Sequence, residues 1–400
     1  MSFLRDAIDD FLHKADLVLL ALCVAATLYG TILIYSATRY DIRLDNSAKK
    51  QLIALALGLV CYVIFSYIDL DIIMERWQWL LAGSVGFLLL LRTPLADHVT
   101  AVKTGNLNWI NIPGIPFSIQ PAEYVKLAFI LLLAKHLVWL RRNQRSISSV
   151  PSILHMGVNF LFFAGLVVVI SHDAGMACIY AGIFLVMIWA AGVSKWWFLG
   201  GFTALGGALG GGLFLLSKTT LWARFIDNYR IKRILILFDH NMDPRGAGWH
   251  QTRAMMALGS GGLTGQGYMQ GIQTQSQSSS SLPARYTDFI FSSCGEELGL
   301  IGCMLILLLL GAIILRCLFT GMNAPSKFSA FVAYGVAGML MSQTLLNVGM
   351  CLFVAPVVGI TLPFFSYGGS SILTMFIAMG LVSGIKARSL PSWLKDRSLG

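Results

Sequence analysis

Leu298-Gly-Leu-Ile-Gly-Cys-Met-Leu-Ile-Leu-Leu-Leu-Leu-Gly-Ala-Ile-Ile-Leu-Arg-Cys-Leu-Phe319 holds one charged residue, Arg316, close to its end. A helix rises 1.5 Å per residue, so this stretch reaches across the roughly 30 Å hydrocarbon core of a bilayer. Nine similar runs lie elsewhere, near Leu17 to Tyr35, Leu52 to Ile68, Trp77 to Leu91, Tyr124 to Leu140, Met156 to Ile170, Ala174 to Ala190, Trp196 to Leu216, Phe328 to Phe353 and Tyr367 to Ile385. The third and fifth are short for a span. The expected fold is therefore an all-α polytopic membrane protein. It has about ten transmembrane helices, one transmembrane domain over residues 1–400, and a long external loop, about 217–297, before the eighth span.

Composition agrees with a bilayer as solvent. Of 400 residues, 56% are hydrophobic and 12% charged, too few charges to cover a soluble surface. Acidic Asp6, Asp9 and Asp10 before the first run, with no A-x-A site after it, argue against a cleaved signal peptide. The termini and even-numbered connections hold Arg5, Lys14, Arg76, Arg141, Arg142, Arg145, Lys195, Arg316, Lys327, Lys386, Arg388, Lys395 and Arg397. The short connections on the other side hold Arg39, Arg43, Lys49, Lys50, Arg92 and Lys103. The positive-inside rule then places both termini in the cytoplasm and the long loop outside. The net charge of +10 fits this orientation and contact with anionic lipid better than nucleic acid. Seven cysteines without C-x-x-C or paired spacing read as small apolar residues.

Ionisable groups near membrane depth are costly, which makes them functional candidates. Glu123 and Lys126 share a helix face three residues apart, as an ion pair easing insertion or as part of a site. Asp173 suits a helix cap as well as chemistry. His240, among Asp239 and Asp243, has no recognised metal-ligand spacing, and no metal is assigned. The long loop carries Lys218, Arg224, Arg230, Lys232, Arg233, Arg245, Arg253 and Arg285 against Asp227, Asp239, Asp243 and Asp288, a surface suited to an anionic substrate or to lipid headgroups. Its glycine-rich Ala257 to Gly267 would let backbone approach a ligand, and Gln273 to Ser281 is low in complexity.

Asp288 stands where apolar chain resumes, in Tyr286-Thr-Asp-Phe-Ile-Phe291. Partial desolvation at such a boundary raises a carboxylate toward the range useful for a base. Glu296 and Glu297 are about 12 Å further along a continuous helix, too far to pair with it unless the chain folds back. One poised carboxylate among cations suits transfer from a phosphate leaving group. Ordinary glycoside hydrolysis needs two carboxylates, whereas pyrophosphate departs without protonation if its charge is stabilised.

Motifs in a fixed order along most of the chain resemble the SEDS family (shape, elongation, division and sporulation), the RodA, FtsW and SpoVE proteins. They are Ile119-Gln-Pro-Ala-Glu-Tyr-Val-Lys126, like the family's QPSE-x-x-K; Asp173-x-Gly175; Lys232-Arg-Ile234; Gly259 to Gly267; Thr287-Asp-Phe-Ile-Phe291; Glu296-Glu-Leu-Gly-Leu-Ile-Gly302; Asn347-Val-Gly-Met350; Pro356-Val-Val-Gly359; and Leu362-Pro-Phe-Phe-Ser-Tyr-Gly-Gly-Ser-Ser371. Asn347-Val-Gly-Met and Pro356-Val-Val-Gly read more like RodA than FtsW.

The resemblance implies a peptidoglycan glycosyltransferase in the bacterial cytoplasmic membrane, serving elongation, division or sporulation. It would polymerise lipid II by inverting transfer of the glycan from undecaprenyl pyrophosphate, alongside a class B penicillin-binding protein as transpeptidase partner. Asp288 would be catalytic, with Glu123, Lys126, Asp173, Arg233, Ser366 and Ser370 as substrate-binding candidates. Arg233 suits pyrophosphate because a guanidinium forks onto phosphate oxygens. Within Leu362 to Ser371, Pro363, Gly368 and Gly369 could instead break the start of the last helix, with Ser370 and Ser371 satisfying the freed backbone groups, and that structural role is favoured over direct chemistry. No cofactor is required, and a divalent cation beside the pyrophosphate stays open. The chain departs from the family at Asn108, where Arg usually precedes the Trp, at Ser171-His172-Asp173-Ala174-Gly175-Met176, and at Ala284-Arg285. A flippase for lipid-linked precursor or a non-catalytic scaffold are the rival readings. An intramembrane serine protease is poorly supported, since no His lies on a span in evident relation to Ser370 or Ser260.

Overall fold

The computed structural model describes residues 11–40, 46–114, 117–143, 146–217, 233, 235–237, 246–276 and 282–389. Their regular secondary structure is helical. In chain order they form α1 (Leu17–Thr38), α2 (Ser47–Tyr67), α3 (Leu70–Glu75), α4 (Trp77–Leu89, extended by the 3-10 turn Leu90–Arg92), α5 (His98–Thr104), α6 (Pro121–Arg142), α7 (Val150–Ser171), α8 (Ala174–Ala190), α9 (Lys195–Ser217), α10 (Ala247–Ser260), α11 (Ile290–Met322), α12 (Lys327–Cys351) and α13 (Gly369–Ser389). The β pairing among the described residues is two isolated bridges, Ala96 with Ile110 and Ile110 with Ile119.

Each apolar run falls on one helix. Six of them, α1, α2, α7, α11, α12 and α13, are long and apolar enough to cross a membrane, while α4 and α8 are shorter. α6 is 22 residues long, but Glu123, Lys126, Lys135, Arg141 and Arg142 dilute its apolar character. The fifth run, short by sequence, lies within the 22-residue α7.

Close approach of α2 and α13 depends on small residues, the usual device where lipid supplies no hydrophobic drive between helices. A Cβ at Gly380 or Gly384 would stand 2.7 Å from Tyr62 O or 2.5 Å from Ser66 O. At one end of the bundle the buried Asp16 caps α1 and pairs with Arg316 Nε at 2.7 Å and Lys386 Nζ at 3.1 Å. The Tyr62 hydroxyl donates to its carbonyl, so α1, α2, α11 and α13 meet at one ionic node. Arg316, counted above with the loop cations, thus lies inside α11.

α11 breaks at Gly299, with φ 65° and ψ −162°. Backbone groups freed by a break in an apolar setting must find partners. Here Leu300 N and Ile301 N donate to Gly262 O and Leu263 O, while Gln266 N and Gly267 N donate to Glu296 O and Glu297 O. A Cβ at Gly265 would lie 2.1 Å from Glu297 O. The glycine-rich loop therefore admits the chain's own backbone at Gly261 and Gly265. The two buried acids pin the following segment. The Glu296 carboxylate accepts from Gln273 N and Thr274 N, and that of Glu297 accepts from Ser36 Oγ and Gln275 Nε2. The low-complexity tract is thus anchored over residues 273–275; residues 277–281 lie outside the described residues, as do both terminal segments, including Lys395 and Arg397.

Candidate functional site

Asp288 sits in a turned segment, residues 283–289, immediately before α11. The segment opens with Ala284 at φ 45°, a left-handed conformation that a residue with a Cβ adopts only when its surroundings over-determine it. Thr287 N and Phe289 N both donate to Ala284 O. Four successive carbonyls are then held by four different donors. Ser293 Oγ donates to Arg285 O at 2.9 Å, Tyr367 N to Tyr286 O at 2.9 Å, Ser366 Oγ to Thr287 O at 2.6 Å, and Asn347 Nδ2 to Asp288 O at 2.8 Å. These donors come from α11, α12 and the segment entering α13. The backbone at Asp288 is therefore fixed from three directions.

The carboxylate of Asp288 faces a cavity of about 690 Å³, the size of a small-molecule site. Asp173, Glu123 and Arg233 line the same cavity, with Lys50, Asn108, Trp109, His250, Tyr286 and Tyr367. Residues far apart in the chain thus converge on one space. Asp173 caps α8 by accepting from Met176 N, and its other oxygen accepts from Asn108 Nδ2 at 2.6 Å. Asn108, where the resemblance implies a cation, is a neutral amide fastened to Asp173. Glu123, in the first turn of α6, takes Lys126 Nζ at 2.8 Å; both are buried, and Lys126 stands behind the cavity wall.

Burial pushes the Asp288 carboxyl up to about 6, against the Arg233 guanidinium, which lowers it, and with Asp173, which raises it further. Such a group is largely ionised at neutral pH yet basic enough to take a proton. Asp173 is also raised, by burial, although its hydrogen bonds to Met176 and Asn108 oppose this.

Not every candidate reaches the cavity. Ser366 Oγ accepts from Leu362 N and donates to Thr287 O, and Ser370 Oγ accepts from Gln120 N at the start of α6. Both are buried and do not line the cavity, and their hydroxyls hold backbone. Of the loop cations, Arg233 faces the cavity. Arg285 is committed to Ala37 O and Ser276 O, and Arg253 lies over the Trp249 ring. Lys218, Arg224, Arg230, Lys232 and Arg245, with Asp227, Asp239, His240 and Asp243, lie outside the described residues.

A family model described as "Cell cycle protein", FTSW_RODA_SPOVE, matches residues 16–390. The chain belongs to the FtsW/RodA/SpoVE family. It is accordingly a multi-pass membrane protein. Over 382 residues it is 35% identical to Stage V sporulation protein E of Bacillus subtilis (strain 168), covering 94% of this chain and 97% of that one. It is 30% identical over 372 residues to "Peptidoglycan glycosyltransferase MrdB" of Escherichia coli (strain K12), covering 92% and 93%. Among solved structures it resembles a chain from "Structural coordination of polymerization and crosslinking by a peptidoglycan synthase complex", with TM-score 0.74, 27% identity and coverage of 94% and 98%.

Within this family frame, sequence reasoning missed two contributors. Lys50 entered only as an orientation charge, although it faces the cavity from the first turn of α2. Asn347 was one letter of a motif. Its signal was present all the same: an amide in the apolar run of α12 needs partners, and it finds them in Asp288 O and Ile360 O.

Proposed function

We propose that this protein is a peptidoglycan glycosyltransferase that polymerises lipid II in the bacterial cytoplasmic membrane. The observation that carries the reading is Asp288: a raised carboxylate, rigidly backed, facing a cavity it shares with Arg233. Asp288 removes the proton from the GlcNAc 4-hydroxyl of lipid II as that oxygen attacks the anomeric carbon of the growing glycan from the face opposite the leaving group. The bond from that carbon to the pyrophosphate oxygen breaks, configuration inverts, and undecaprenyl pyrophosphate departs with the electron pair. Arg233, with Lys50, stabilises the departing charge. Glu123, held by Lys126, and Asp173, held by Asn108, shape the acceptor side and keep its polar surface fixed.

The arrangement in the membrane follows the charge tally. Residues 1–400 form one transmembrane domain of ten spans, α6 and α9 among them, with both termini cytoplasmic and the segment of about 217–297 external. A class B penicillin-binding protein supplies the transpeptidase, and its identity decides among elongation, division and sporulation. In detergent, where no leaflets exist, the purified chain with this partner should convert lipid II to glycan polymer. Absence of polymer while the partner retains transpeptidase activity would favour the flippase or scaffold instead.

The pH profile gives a second test. A base titrating near 6 makes kcat/KM fall as pH drops through that value. Arg233→Gln removes a charge that lowers Asp288, so the acidic limb should move to higher pH; Asp173→Asn removes one that raises it, and the limb should move down. Shifts in the reverse directions would remove Asp288 as the titrating group.

A further inference from the structure

A second cleft, of about 300 Å³, opens at the other end of α12, where Arg141 and Arg142 at the end of α6 meet Lys327 at the start of α12 beside Asp71 and Met74 of α3. Lys327 and Asn347 are twenty residues apart on α12, or about 30 Å along a helix, the thickness of a hydrocarbon core. The cleft therefore lies at the membrane face opposite the Asp288 cavity.

Three cations face one carboxylate, Asp71, in this cleft. Arg141 is held in place: its Nη2 donates to Ala191 O at 2.7 Å and its guanidinium lies over the Phe331 ring. Arg142 and Lys327 are exposed, and among the described residues neither has an ion-pair partner. Behind these charges the cleft is apolar, formed by Met74, Val138 and the buried Phe328. A charged rim over an apolar floor at the edge of a membrane matches an amphiphile. A free anion would satisfy the rim and leave the apolar floor uncovered, whereas an amphiphile covers both. A zwitterionic headgroup would bring its own cation against Arg142 and Lys327.

We propose that this cleft binds an anionic phospholipid of the leaflet opposite the catalytic cavity, its phosphate between Arg142 and Lys327 and the start of an acyl chain over Met74, Val138 and Phe328. The site is separate from the transfer reaction and stands or falls independently of it.

The test titrates the purified intact chain in mild detergent with dioleoylphosphatidylglycerol, dioleoylphosphatidylcholine and inorganic phosphate, counting bound molecules by native mass spectrometry. Phosphatidylglycerol should bind saturably and phosphatidylcholine at least about tenfold more weakly. The double variant Arg142→Gln/Lys327→Gln should bind phosphatidylglycerol about 25-fold more weakly, the product of roughly fivefold for each cation near an anionic surface. Val138→Trp, which fills the floor without adding a charge beside the rim cations, should also weaken it. Equal binding of phosphatidylcholine, or undiminished phosphatidylglycerol binding in the double variant, would overturn the proposal. Binding of inorganic phosphate as tight as that of phosphatidylglycerol would mark a soluble-anion site and overturn it equally.

Discussion

Asp288→Asn should lower the rate of glycan polymerisation from lipid II by roughly 10²- to 10⁴-fold, the usual worth of a positioned general base. The substitution keeps the size and shape of the side chain, and the four clamps on the turn hold backbone carbonyls, so none is lost. Stability supplies the control. A carboxyl raised to about 6 in the folded protein titrates lower when unfolded, so the ionised form costs stability above that pH and the cost disappears as pH falls below the unfolded value. Asparagine carries no such cost. At neutral pH the variant should melt at the same temperature as the parent or slightly higher while losing activity. Full activity would eliminate Asp288 as the base; lost activity with a markedly lower melting temperature would make its role one of folding.

The helices were legible in the sequence because a bilayer imposes length and apolarity on each of them separately, and each of the ten runs overlaps one helix, although α7 begins six residues and α11 eight residues ahead of its run, at Val150 and Ile290. Asp288 was legible for a related reason, as an acid where polar chain gives way to apolar chain. What periodicity could not reveal was the assignment of polar residues between cavity and scaffold. Ser366 and Ser370 stand in the same motif as the cavity-lining Tyr367, Gly368 and Gly369, yet their hydroxyls turn to backbone. The glycines of 259–267 carry no mark saying whether they admit a ligand or a helix; the break at Gly299 decides it, and that break lies inside a run that reads as continuous. Glu296 and Glu297 do not line the Asp288 cavity, and their partners at Ser36 and residues 273–275 depend on tertiary contact.

Asn347 tests whether the backing of Asp288 matters as much as its charge. One amide nitrogen donates to Asp288 O at 2.8 Å and to Ile360 O at 2.7 Å, joining the turn that carries Asp288 to the segment that lines the cavity through Val357, Val358 and Gly359. Asn347→Leu keeps approximate volume and removes both bonds, leaving two carbonyls without a donor at roughly 1–3 kcal/mol each. The turn can relieve that cost only by moving, and displacement of a reacting group by about 1 Å is enough to lower a rate about 10²-fold. The expected result is a loss of that order in kcat, with KM for lipid II changed by less than about threefold, since Asn347 does not line the cavity. Measuring kcat per folded molecule separates this from simple instability. A purely structural residue would reduce the folded fraction and the melting temperature while the surviving enzyme turned over normally, and that outcome would remove Asn347 from the catalytic arrangement. Ser366→Ala, which takes one clamp from the adjacent Thr287 O, should act in the same direction with a smaller loss, because Asn347 still holds the turn. If the two residues position the same carboxylate, the double variant should fall short of the sum of the single effects in ΔΔG‡, as expected for groups acting on one element.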